Sequence, residues 1–130
     1  MKQPLYILEG VVEPGNRIGR TLGLPTANIA LPHDAPPRGV YAARVMLPDG
    51  RICEAVTDVG SRPTVADSAA ARAESHLLDF SGDLYGKRIR VELWYFLREE
   101  RKFASMEALA QEIRRNIMQA KEYFADTASL

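Results

Sequence analysis

Three short stretches carry residue types that could bind or transform a ligand. The first holds Gly15, Gly19 and Gly23, with Arg17 and Arg20 among them. Glycines let backbone N–H groups come close to an anion, and two guanidiniums add positive charge. The same glycines could be plain turn formers, since neither the Walker spacing nor Gly-x-Gly-x-x-Gly is present. The second stretch is Pro25-Thr26-Ala27-Asn28. In extended backbone Thr26 and Asn28 project from one face. A hydroxyl and an amide oxygen are neutral hard donors, which Mg²⁺ accepts when phosphate oxygens and waters complete its shell. The alternative is a turn in which both side chains bond nearby backbone. The third is Glu74, a carboxylate inside an apolar run. Facing a cleft it could take a proton from a hydroxyl; facing solvent it is an ordinary strand residue. His76 shares its face, but neither His76 nor Asp79 completes a metal or nucleophile set. His33 stands alone in a proline loop, and two histidines in all argue against a His-rich zinc site. Cys53, the only cysteine, rules out an internal disulfide and reads as a small core residue.

The elements that must position these residues are mostly strands. Leu5–Leu8 and Val11-Val12 read as a first strand interrupted or bent at Gly10. An ordered loop through the glycines then feeds a short strand ending near Ile29, and Pro32, Pro36 and Pro37 mark a surface loop. Gly39–Leu47 and Arg51–Val59 flank Pro48-Asp49-Gly50, a hairpin signal. Gly60–Thr64 reads as loop, and so does the alanine-rich stretch from Ala66 to Ala71. Glu74–Phe80 reads as a strand with Glu74, His76 and Leu78 on one face. Arg88–Leu97 alternates most clearly: Ile89, Val91, Leu93, Tyr95 and Leu97 one way, Arg88, Arg90, Glu92, Trp94 and Phe96 the other. Ser105 caps a terminal helix with Glu107 in its first turn. Met106, Leu109, Ala110, Ile113, Ile117, Ala120 and Phe124 form its apolar stripe. Short strands followed by one helix predict a β-barrel or sandwich with a helix packed on it, and the missing crossover helices exclude a doubly wound parallel sheet.

Composition bounds the function classes. The 130 residues suit one domain, 1–130, able to fold without metal or disulfide staples. At 46% apolar and 26% charged residues, disorder is not expected. Seventeen basic residues balance seventeen acidic ones, which argues against a nucleic-acid partner that needs a basic surface. No apolar run approaches the roughly 18 residues of a bilayer span, and no signal-peptide pattern opens the chain. The expectation is a cytoplasmic protein without a membrane partner.

Taken in order, the blocks resemble the riboflavin kinase family over nearly the whole chain. They begin with Gly10-Val11-Val12, Gly15 and Gly19-Arg20-x-Leu22-Gly23-Leu24-Pro25-Thr26-Ala27-Asn28-Ile29. Gly39-Val40-Tyr41-Ala42, Gly60-x-Arg62-Pro63-Thr64, Glu74-x-His76-Leu77-Leu78-Asp79-Phe80 and Asp83-Leu84-Tyr85-Gly86-Lys87 follow. Leu97-Arg98-x-Glu100-x-Lys102-Phe103 and a terminal helix complete the series.

The resemblance implies a six-stranded Greek-key barrel with a C-terminal helix. It also implies transfer of the γ-phosphoryl of ATP to the riboflavin 5′-hydroxyl, giving FMN and ADP. Gly15, Gly19, Arg20, Gly23, Pro25, Thr26 and Asn28 then match the nucleotide site, and Thr26 and Asn28 the Mg²⁺ ligands. Glu74 matches the catalytic carboxylate, and Arg98 and Phe103 fall in the segment bordering the flavin. Three features depart from the pattern. Asp58 stands where Asn is usual and would repel ATP unless it helps hold the metal or points away. Asn116 stands where Asp is usual in the helix. Bacterial relatives commonly carry an FMN adenylyltransferase domain ahead of the kinase, and nothing before Leu5 could be one. The alternative reading is a non-catalytic flavin- or nucleotide-binding regulatory paralogue.

Overall fold

The computed structural model describes residues 2–14, 25–31, 35–60 and 71–128. Six strands precede the helix: β1 (Tyr6–Val11), β2 (Thr26–Leu31), β3 (Gly39–Met46), β4 (Ile52–Gly60), β5 (Ala71–Leu77) and β6 (Arg88–Arg98), then α1 (Met106–Ala128). Every pairing among them is antiparallel, in the order β1-β6-β3-β4-β5-β2. β2 returns beside β5 in Greek-key fashion. A bridge between Glu13 and Asn28 draws the end of β1 against β2, so the sheet nearly closes on itself. The expected Greek-key barrel with a C-terminal helix is therefore the fold.

Alternation along the strands divides the apolar residues between two cores. Leu8, Ile29, Val45, Val59, Val91 and Leu93 fill the barrel with Tyr41. Val40, Ala42 and Val56, on the outer face, meet Ala120 and Phe124 of α1. Cys53 packs half-buried against the barrel core, as its reading suggested. The Pro48-Asp49-Gly50 hairpin forms, with Gly50 at φ 91° donating its N–H to Leu47 O at 2.9 Å. Ser105 caps α1: its Oγ accepts the Ala108 N–H at 3.1 Å. The helical stripe serves two ends. Ile117, Ala120 and Phe124 pack on the sheet, whereas Met106, Leu109 and Ile113 line a cavity beside it. No described helix is long and apolar enough to cross a membrane.

Three strand expectations are corrected. β1 runs through Gly10 without a break; the absent Cβ there leaves room for Ile29, which would stand 3.1 Å from it. β5 spans Ala71–Leu77 rather than Glu74–Phe80, because Asp79 at φ 56° turns the chain out of extended geometry. Ala71 is thus strand, while residues 61–70, with Arg62, Pro63 and Thr64, lie outside the described residues, as does His33. The alternation of β6 fails after Leu93. Opposite β3, Leu93, Tyr95, Phe96 and Arg98 pair with Ala43, Ala42, Tyr41 and Val40, leaving Trp94 and Leu97 as extra residues. Each is a bulge, and each flips the phase by one residue. Tyr95 therefore turns to the helix side, stacking on Tyr123 at 5.0 Å, and Phe96 meets Tyr41 edge-on at 5.2 Å. The second bulge restores the phase, so Arg98 faces the helix side.

Candidate active site

Strand register draws a row of residues across the outer face. Arg98 on β6 lies opposite Val40 on β3, Val40 opposite Asp58 on β4, Asp58 opposite Glu74 on β5, and Glu74 opposite Asn28 on β2. Directly opposed residues share a face, so this row projects to one side. In the next row Val56, His76 and Thr26 stand in line on β4, β5 and β2. The spacing of Thr26 and Asn28 thus does put both on one face, beside Glu74 and His76. Asn28 is buried and Thr26 half-buried.

Asp58, Glu74, His76 and Arg98 line a cavity of ≈ 530 Å³. Its other walls are Phe103, in the connection after β6, and Met106, Leu109, Ile113 and Asn116 of α1. That volume suits a small ligand, and one wall is apolar while the floor is charged. Arg98 and Phe103 lie together here, the guanidinium 5.4 Å from the ring centre. Thr26 and Asn28 flank the lining without joining it. The Pro25 carbonyl accepts the Leu77 N–H at 2.9 Å, which ties the start of β2 to the end of β5. Gly15, Gly19, Arg20 and Gly23 lie outside the described residues.

Two charge clusters bound the cavity. Glu112 of α1, nearly buried, receives Arg98 at 3.2 Å, Arg101 at 3.0 Å and Arg115 at 3.1 Å. Fully buried Asn116 joins this cluster: its amide donates to Glu112 at 3.2 Å and to Gln119 at 2.9 Å, and its oxygen accepts Arg98 Nε at 3.0 Å. Burial lowers the Arg98 pKa, while Glu112 and Asp58 oppose that shift. On the strand side, burial, then the charges of Glu100 and Glu74, push the Asp58 carboxyl up to about 7 against the pull of Arg98. Burial alone holds His76 down to about 4, so its imidazole is neutral at physiological pH. Asp58 Oδ1 and His76 Nδ1 are buried without a hydrogen-bond partner among the described residues.

Among the described residues no group of three His, Cys, Asp or Glu side chains is arranged to hold a metal. The donor chemistry of Thr26 and Asn28 still fits Mg²⁺, which keeps several waters and leans on substrate phosphates rather than on an all-protein cage.

Glu112 was not legible as a site residue; Asn116 stood out as a departure in the helix and Glu100 within the Leu97–Phe103 block, but neither revealed its partner. Glu112 and Asn116 stand i, i+4 with Arg115 between them, a spacing that does mark one helix face. Glu100 gives no local signal of that partner, because Asp58 is distant in sequence.

The riboflavin kinase model of the Flavokinase family matches residues 2–124. A bifunctional riboflavin kinase/FMN adenylyltransferase of Pseudomonas fluorescens is 43% identical over 124 residues, 95% of this chain and 40% of the relative. A solved structure described as a macrolide-efflux protein of Streptococcus pneumoniae superposes with a TM-score of 0.78 at 32% identity, over 91% of this chain and 38% of that one. Riboflavin kinase from Trypanosoma brucei superposes with a TM-score of 0.64 over 95% of this chain and 81% of that one. At 22% identity that likeness concerns the fold. The chain spans about two fifths of the length of the curated relatives it matches.

Proposed function

The chain belongs to the riboflavin kinase family, and from that premise we propose that it moves the γ-phosphoryl of ATP to the 5′-hydroxyl of riboflavin, releasing FMN and ADP. The observation that carries the reading is the register placing Glu74 between Asn28 and Asp58, at the charged floor of a cavity with an apolar wall. An isoalloxazine ring suits that wall of Phe103, Met106, Leu109 and Ile113, with the ribityl chain running down toward Glu74.

Phosphoryl transfer asks mainly for alignment and charge neutralisation. Glu74 orients the hydroxyl and takes its proton as the new O–P bond forms and the bond to the β-phosphate oxygen breaks. Thr26 and Asn28 would hold Mg²⁺, which when bound neutralises phosphate charge. His76, neutral beside Thr26, adds no positive charge that would compete for the phosphates. Arg98 is held off the reacting atoms by Glu112 and Asn116 and shapes the ring end of the cavity.

The test is conversion of riboflavin to FMN by purified protein with ATP and Mg²⁺, followed by chromatography with fluorescence detection, beside Glu74→Gln. Turnover that the variant lacks supports both the activity and the base. Folded protein that binds flavin or nucleotide without turnover would instead favour a non-catalytic binding module.

A further inference from the structure

Asp58 has no task in the chemistry just described, yet it stands at the centre of the cavity floor. It lies opposite Glu74 on one side and Val40 on the other, while Asn28 is one strand further away. Its Oδ1 is buried without a hydrogen-bond partner among the described residues. Glu100, in the connection between β6 and α1, reaches back over Gly60 so closely that a methyl group on Gly60 would collide with Glu100 Oε2. The same point above Gly60 lies 3.7 Å from Asp58 Oδ1, so the Glu100 and Asp58 carboxyl groups stand side by side there. Two carboxyl groups bond each other only while one of them carries a proton.

The same connection supplies Arg101, Lys102 and Phe103 to the cavity wall. The residue after Glu100, Arg101, is fixed to α1 by its pair with Glu112 at 3.0 Å. Phe103 lies under both Arg98 and Arg101, at 5.4 and 5.0 Å. The wall thus hangs on an ion pair to α1 and on the meeting of two acids over β4.

We propose that Asp58 is a positioning residue: while protonated it holds Glu100, and with it the connection carrying Phe103, against β4, so that the wall closes over a planar apolar substrate. Losing the proton sets Asp58 against Glu100 and Glu74 together and releases the wall. The other charged or titratable groups lining the cavity are His76 from β5, Arg98 from β6, and Arg101 and Lys102 from the connection; α1 adds the neutral Asn116 and β3 the apolar Val40. His76 stays neutral above about 4 and does not offset the new charge. Arg98 is engaged by Glu112, so its pull on Asp58 is shared.

Only the identity of the substrate rests on the riboflavin kinase reading, and two measurements separate the two. The first is trypsin cleavage after Arg101 and Lys102 in the ligand-free chain, comparing wild type with Asp58→Asn, whose amide donates at every pH. Wild type is expected to be cut several-fold faster than the variant at pH 8.5 and at an equal rate at pH 6.5. The second is quenching of riboflavin fluorescence between pH 6 and 9. The wild-type Kd should rise by up to about tenfold per pH unit above the Asp58 transition. Asp58→Asn and Glu100→Gln should each flatten that slope, the second guarding against a folding defect in the first. Equal cleavage of wild type and Asp58→Asn at both pH values, or an unchanged slope in both variants, would overturn the proposal. The cleavage difference without riboflavin binding at any pH would support the tether and overturn the kinase reading.

Discussion

The two charge clusters at the cavity are built on opposite principles. Around Glu112 one buried carboxylate meets three guanidiniums and an amide, so its acceptor capacity is filled. Around Asp58 three carboxyl groups crowd together, and Arg98, the cation acting on Asp58, is itself bonded to the first cluster. A satisfied buried cluster rigidifies the wall that carries it. A crowded acidic one is stable only with a proton or a cationic or hydrogen-bonding ligand, which is what a site awaiting substrate requires. The contrast predicts that the first cluster governs stability and the second governs rate and pH dependence.

The largest effect tests the second half of that claim. Glu74→Gln is expected to lower turnover about 10²–10⁴-fold, the usual weight of a general base, while the midpoint of thermal unfolding holds or rises slightly because one crowded charge is gone. A large loss of thermal stability in this variant would collapse the distinction. Next comes Glu112→Ala, which strands Arg98 beside Asn116. Breaking a buried ion pair from one side costs about 3–5 kcal/mol. The lower end is expected here, since Arg101 and Arg115 are largely exposed and can turn to water. Urea titration would read it, and an unchanged midpoint concentration would mean that the cluster does not brace α1.

How much of this was legible in the sequence depends on whether the signal was local. The hairpin at Pro48-Asp49-Gly50, the Ser105 cap and the helical stripe each rest on residues within a few positions of one another, and each forms. Thr26 and Asn28 share a face because alternation in a strand is local too. The bulges at Trp94 and Leu97 left no mark, since an extra residue in a strand shows only against its partner. Asp58 was visible as a departure from a pattern, but its place beside Glu74 is a matter of register between β4 and β5. Glu112 falls among the apolar positions of α1, yet nothing nearby announced that Arg98 would come to it.

A smaller effect concerns pH and separates the two buried titrating groups. Asp58 titrates higher in the folded chain than unfolded, so it costs no stability below its ordinary value near 3.8 and destabilises progressively as pH rises to about 7. His76 titrates lower when folded, so its cost appears as pH falls from 6.5 toward about 4. The two trends oppose each other over most of that span. Asp58→Asn is therefore expected to raise the unfolding temperature at pH 8, by about 5 °C, and to leave it near wild type at pH 4. His76→Gln should do the reverse, helping at pH 4.5 and not at pH 8. Scanning fluorimetry across pH would show it, and parallel curves for all three proteins would refute both assignments.

The smallest effect probes whether the clusters communicate through the residue they share. Asn116 accepts from Arg98 and donates to Glu112, so it lets one guanidinium and one carboxylate meet without either being over-committed. Asn116→Asp keeps the acceptor for Arg98 but replaces the donor to Glu112 with a second negative charge. Arg98 then has two carboxylates to satisfy on the helix side, and its stabilising pull on the ionised form of Asp58 weakens. The expected cost is about 1 kcal/mol of stability, the scale of one buried hydrogen bond turned unfavourable but partly offset by the stronger pair with Arg98. The Asp58 transition should move to higher pH in the same variant. Adding Glu112→Gln restores a donor for the new carboxylate and should recover most of the loss, a coupling that independent sites would not show. If the Asp58 transition stays where it is in Asn116→Asp, Arg98 belongs to the Glu112 cluster alone, and the two regions answer to their own neighbours rather than to each other.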